Sequence, residues 1–240
     1  MLTSLQDLIT AAEDLNSEWP GEIWWRGHGS PAFVLQAGAH RAKRGSRYEQ
    51  NLTLRFRQYA PTRHPTCPTQ EDFVSWLFLM QHYGLPTRLL DWTASVLIAT
   101  FFAVTDRPDE DAVLFAIEPR RMNETINGDP TLVPTTSPPA RQLFVGAFND
   151  RQTETSTIAV MTHEIDDRML VQQAAFTIHG NEEPLDARSD AANFLRRYDI
   201  PATAKQHLHS QLRVTGIQRS TIFPDLTNLA LDLKELVFLP

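Results

Sequence analysis

Between Gln81 and Ser95 the chain sets Gln81, His82, Thr87, Arg88, Asp91, Thr93 and Ser95 among Leu, Trp and Pro. Surface loops are seldom this apolar, and core segments seldom carry so many groups that need partners once buried. A stretch that is both core-like and polar has the character of a preorganised site. A second group of interest is Arg26, which closes the apolar run Ile23-Trp24-Trp25 and precedes Gly27-His28-Gly29. A guanidinium fork suits phosphate or carboxylate, and the glycines let the backbone turn sharply or approach a ligand. The alternative is a structural Arg paired with an acid such as Asp91. Thr93 and Ser95 precede an apolar helix, and a helix N-terminus with hydroxyls beside an Arg can hold a pyrophosphate or another anion. Trp24, Trp25, Tyr83, Trp92 and Phe176 could supply a flat face for a base or nicotinamide, or serve as plain core. His82 with Asp91 would suit general-base hydrolysis, as in a nuclease. The eight His residues show no metal-ligand spacing, and the single Cys67 excludes a cysteine cluster or an internal disulfide, so no metal is expected. No P-loop, GxGxxG after a strand, or GxSxG is present.

The elements that must position these residues follow from periodicity and punctuation. Residues 3–18 read as an amphipathic helix capped by Thr3 or Ser4 and ended by Pro20-Gly21. A buried strand through Ile23-Trp24-Trp25 ends at Arg26, just before the glycine turn. Residues 32–42 read as irregular, and His40 to Gly45 forms a basic run. Helices are expected over 47–59 and 71–83, with Gly84 as the residue after the second. A short loop and strand over 85–91 leads to a buried helix over 95–104, capped from Asp91, Thr93 or Ser95. Residues 112–118 read as a buried strand. The Pro-rich stretch 119–150 reads as a long loop with short helical pieces, a lid or insertion. A strand is expected over 157–161, a strand–kink–strand over 168–180 with its break near Gln172-Gln173, and an extended piece over 198–201. Helices follow over 202–215 and around 226–233. The class is α+β.

The length of 240 residues suits a single domain. A net charge of -7 argues against a protein built to grip nucleic acid by phosphate neutralisation. The acidic N-terminal helix is not a signal peptide, and no apolar run is long enough to span a membrane. One cysteine is compatible with a reducing cytoplasm, the expected location.

The chain resembles the FRG domain family at Trp25-Arg26-Gly27, at Gln81 through Thr93 (QHYGLPTRLLDWT), at Ser95 and at Ala99-Thr100-Phe101-Phe102-Ala103. The likeness continues at Arg168, Gln172 and Phe176, at Gly216-Ile217 and at Phe223-Pro224-Asp225-Leu226. It implies one FRG-like domain over 1–240, with an N-terminal helix within 1–20. A fainter similarity is to ADP-ribosyltransferases of the Arg-Ser-Glu type, through WRG, DWTAS and LIATFFA. That similarity implies a bent or split mixed sheet flanked by helices and NAD as substrate. Arg26 would hold the phosphates, Thr93 and Ser95 would shape the nicotinamide pocket, and a later Glu would stabilise an oxocarbenium-like state. Arg168 stands where that Glu belongs; Glu164, Asp166 and Asp167 are displaced from it, leaving Asp91, Asp225 or Glu49 to supply the charge. The expected catalytic set is therefore Arg26, Asp91, Arg168 and Asp225. The expected binding set is Arg26, Gly27, His28, Gln81, His82, Tyr83, Thr87, Arg88, Trp92, Thr93, Ser95, Gln172 and Phe176, with a buried Arg88–Asp91 pair fixing the loop. The resemblance implies an NAD-binding, ADP-ribosyltransferase-like enzyme, a bacterial or phage-conflict effector acting on a protein or nucleic-acid acceptor and not on membranes. A nucleotide or nucleic-acid binding module without catalysis, and a nuclease or hydrolase using His82 and Asp91, are the alternatives.

Overall fold

The computed structural model describes residues 1–41, 47–149, 155–162 and 167–237. Strand β1 (Trp24–His28) sits near the middle of a seven-stranded sheet with β2 (Leu89–Thr93), β3 (Ala112–Ile117), β4 (Val133–Pro134), β5 (Thr157–Met161), β6 (Ala174–His179) and β7 (Leu195–Ile200). The order is β4-β5-β6-β2-β1-β3-β7. Only β4–β5 is parallel, so the sheet is mixed, as the α+β reading expects.

The sheet opens at its centre. β1 pairs with β3 through five residues, and β2 with β6 through five, but β1 and β2 share the single pair Trp25↔Thr93. Side chains alternate along a strand, so Trp25 and Gly27 of β1 share one face with Leu89, Asp91 and Thr93 of β2. Two separate cores cover that face. Trp25 packs with α1 (Leu5–Glu18), α5 (Val96–Thr105) and α9 (Ala202–Val214); Leu89 and Phe176 pack with α4 (Phe73–His82) and α7 (Pro138–Gly146). On the opposite face Trp24, Leu90, Trp92 and Phe115 belong to one continuous cluster with Met122 of α6 (Pro119–Asn127). The gap between the two cores lies over the place where β1 and β2 part.

Local sequence explains the placement. Ser4 and Asp7 form a capping box on α1. Ser95 Oγ accepts Ile98 N–H and starts α5, which is apolar nearly all round and buried. A Cβ on Gly27 would lie 1.9 Å from Ala99 O and 2.7 Å from Ala103 N, so the glycine lets α5 lie directly on β1.

Several expectations need correction. Residues 119–149 hold the expected short helices, α6 and α7, with β4 between them, but they are packed and no loose loop: Met122, Ala140, Leu143 and Phe144 are fully buried. Pro119, Pro138 and Pro139 begin helices, where a missing N–H costs nothing, instead of breaking them. The first half of the strand–kink–strand is a short helix, α8 (Asp167–Val171), and the turn to β6 uses Gln173 at φ 46. β7 begins at Leu195, three residues before the expected extended piece. Most of the basic run (42–45) and residues Glu164 and Asp166 lie outside the described residues. The remaining helices are α2 (Gly38–Arg41), α3 (Tyr48–Tyr59), α10 (Arg219–Ile222) and α11 (Leu226–Val237). Among the described residues no helix is long and apolar enough to cross a membrane.

Candidate binding cleft

The gap between the two cores is a cleft of about 250 Å³. That is small for a ligand site. Its floor is the parting of β1 and β2, where Arg26, Asp91 and Thr93 lie. Phe78, Gln81 and His82 of α4 form one wall, Ala99 and Phe102 of α5 another, and Arg168, Met169 and Gln172 the third. Trp25, Gly27, Trp92, Ala174 and Phe176 complete it.

A hydrogen-bond relay organises the floor. Leu89 N–H donates to Thr87 Oγ1 at 3.1 Å, which leaves the Thr87 hydroxyl proton for Gln81 Oε1 at 2.5 Å. The Gln81 amide is thereby oriented, and its Nε2 donates to Asp91 Oδ2 at 2.7 Å. Asp91 is the one carboxylate among the lining residues, and its side chain is 49% exposed to the cleft. The spacing Gln81, Thr87, Asp91 thus serves to aim one acid.

Arg26 fills the parting of the strands. Its Nη1 donates to the Asp91 carbonyl at 2.5 Å, replacing a ladder bond that β1 does not make, and lies 3.8 Å from Asp91 Oδ2. Its Nε donates to His28 Nε2 at 2.9 Å. An arginine can only donate, so His28 is the Nδ1–H tautomer and gives that proton to Phe33 O at 3.1 Å. Burial, and then the Arg26 charge, push His28 down to about 3, so it stays neutral. Burial lowers Arg26 to about 10, against the pull of Asp91, and leaves it charged at neutral pH.

Thr93 Oγ1 donates to Gln172 O at 2.7 Å and accepts Ser95 N–H at 3.0 Å, so it ties β2 to the α8 wall. Gln172 Nε2 donates to Ile222 O at 3.2 Å. Arg168 stacks over the Phe223 ring at 4.7 Å, and its Nη1 reaches His82 O at 3.5 Å.

Of the residues singled out in the sequence, Arg26, Gly27, Gln81, His82, Asp91, Trp92, Thr93, Arg168, Gln172 and Phe176 meet at this cleft. Others do not line it. Tyr83 is 56% exposed, because it follows the last turn of α4 and packs on His82 and His64. His28 and Thr87 lie one layer behind, holding Arg26 and Gln81. Ser95 is spent on its helix cap, and α5 presents its middle turns, Ala99 and Phe102, so the helix N-terminus is not the anion site expected. Asp225 is exposed, accepts Asn228 N–H and Nδ2–H at the start of α11, and is not among the lining residues.

The Arg88–Asp91 pair is also overturned. Arg88 Nε and Nη2 donate to Glu49 Oε2 at 2.9 and 2.6 Å, Arg88 N–H to Glu49 Oε1 at 2.9 Å, and Nη1 to Leu143 O at 2.9 Å. A guanidinium buried this deeply needs a carboxylate buried with it, and Asp91 faces the cleft instead. Phe78, Met169 and Phe102 were not foreseen as lining. Phe78 lies at i−3 from Gln81, so its place on the same helix face was legible from spacing.

No curated protein and no solved structure matches the chain. A family match covers residues 21–112, which include Arg26, Gln81, Thr87 and Asp91 but not the α8 wall, and over that stretch the chain carries an FRG domain.

Proposed function

We propose that the cleft binds NAD and that the protein is an ADP-ribosyltransferase-like enzyme. The observation that carries this reading is Asp91, the one carboxylate among the described lining residues, aimed into a cleft that also holds Arg26, Arg168 and an aromatic lining. ADP-ribosyl transfer breaks the bond from ribose C1′ to the nicotinamide nitrogen, and positive charge develops at C1′. A preorganised carboxylate stabilises that charge without having to reorganise. Gln81, held by Thr87, keeps Asp91 in place, and Phe78, Phe102 and Phe176 offer faces for the departing ring. Asp91 takes the role that the similarity to ADP-ribosyltransferases gives to a later Glu. The dinucleotide's phosphates fall to the cleft's arginines, and a protein or nucleic acid is the acceptor. A cytoplasmic toxin or defence effector fits this activity.

The test is incubation with labelled NAD, with and without protein and nucleic-acid acceptors. Nicotinamide release and label transfer are expected, and Asp91→Asn should lower the rate by about a hundredfold or more. No release and no transfer by folded protein would sink the catalytic reading.

One observation favours a second reading, a nucleotide-binding module without turnover. Asp91 already holds Gln81 and lies 3.8 Å from Arg26, so part of its charge is matched. NAD binding with neither nicotinamide release nor label transfer would select this reading.

A further inference from the structure

The cleft has two arginines, and their surroundings differ. Arg26 is engaged from behind by His28 and in front by the Asp91 carbonyl, and the Asp91 carboxylate stands 3.8 Å away. An anion placed beside it would face Asp91. Arg168 has no carboxylate within ion-pair distance among the described residues. Its one hydrogen bond is the long contact to His82 O at 3.5 Å. Asp225 feels its charge only from farther off and is occupied by Asn228.

The stacking of Arg168 matters here. The guanidinium carbon lies over the face of the Phe223 ring, 4.7 Å from its centroid. A ring contact holds the cation in position without giving its N–H donors an oxygen acceptor. Phe223 is itself braced edge-on by Phe102 at 5.9 Å, and Gln172 fastens the α8 turn to Ile222 O. The cation is therefore held in place before any ligand arrives, with most of its donors uncommitted. Planar donors at a fixed position suit the oxygens of a phosphate.

We propose that Arg168 is the phosphate-binding residue of the cleft, and that the ligand lies with its phosphate at the α8 wall and its uncharged or cationic end toward Asp91. This rests on the nucleotide reading for the rest of the ligand and departs from the expectation that Arg26 holds the phosphates. The orientation follows from charge: Asp91 repels an anion from its own end of the cleft, and Arg168 attracts one at the other.

Inorganic pyrophosphate is the first probe, titrated calorimetrically into the full chain. Binding to the wild type is expected, weakened about ten- to a hundredfold in Arg168→Ala, the range for charge-assisted hydrogen bonds. Arg168→Lys should recover part of it, and Leu170→Ala, on the exposed side of the same helix, should leave it unchanged. The second probe pair is NAD and nicotinamide riboside. Arg168→Ala should erase the preference for NAD while leaving the riboside's affinity as it was. Pyrophosphate that fails to bind the wild type, or binds Arg168→Ala equally well, overturns the assignment. So does an Arg168→Ala variant that weakens riboside as much as NAD. If neither NAD nor riboside binds while pyrophosphate binding still depends on Arg168, the nucleotide reading fails and the anion assignment stands.

Discussion

Replacing Glu49 by Gln should be among the most destabilising single changes in the protein. Arg88 and Glu49 are 3% and 6% exposed, and Glu49 takes three of the bonds that satisfy Arg88, two from the guanidinium and one from its backbone N–H. The Gln side chain keeps the shape but removes the charge, so the buried guanidinium loses the Glu49 carboxylate. Breaking a buried pair from one side costs about 3–5 kcal/mol, a large share of the roughly 5–15 kcal/mol that holds a domain folded. Asp91→Asn is the contrasting change. The Asp91 side chain is half exposed and its approach to Arg26 is 3.8 Å, so the loss should stay below about 1 kcal/mol. Urea unfolding with comparison of midpoints and slopes measures both. A double variant, Glu49→Leu with Arg88→Met, should recover much of the loss, because two apolar side chains leave no unpaired charge. Equal costs for Glu49→Gln and Asp91→Asn, or a Glu49→Gln cost under about 1 kcal/mol, would refute this account of Arg88.

Two further outcomes follow from burial. His28 and His179 are held neutral, each pushed by burial to about 3 from an ordinary value of 6.5. Below pH 6.5 the unfolded chain takes up protons that the folded chain refuses. Their contribution is whole above that value and falls by about 1.4 kcal/mol per pH unit per His as pH drops toward 3. By pH 5 the pair should have cost about 4 kcal/mol, and a urea midpoint unchanged between pH 7.5 and pH 5 would contradict it. Gly27→Ala places a methyl against the α5 backbone, at 1.9 Å from Ala99 O. Neither partner can rotate away, so the cost should reach or exceed the upper end of the roughly 1–3 kcal/mol typical of overpacking. Thermal unfolding measures it, and a melting temperature within a few degrees of wild type would mean that α5 is free to shift.

What was legible in the sequence was local. Ser4 and Ser95 announce helix starts by their side-chain chemistry, and alternation and apolar runs mark β1, β2 and β3. The stretch from Gln81 to Thr93 stood out by its polar density, and Gln81, His82, Asp91, Trp92 and Thr93 of it line the cleft. Residues 119–149 were legible only in part: their prolines stand at the first turns of α6 and α7, and the burial of both helices depends on contacts distant in the chain.

By itself, then, the sequence singled out Arg26 and the polar stretch around Asp91 as candidates, and the fold brings both to one cleft. Only the tertiary structure decided what each polar group is for. Glu49 reaches Arg88 across 39 positions, and Arg26 reaches the Asp91 carbonyl across 65. No periodicity encodes such partners, because they are fixed by which helix lies over which strand. The parting of β1 from β2 is of the same kind: neither strand's residues foretell it, and it exists because two separate cores draw the two halves of the sheet apart. That parting turns a buried strand arginine and a capping-like aspartate into the floor of a cleft.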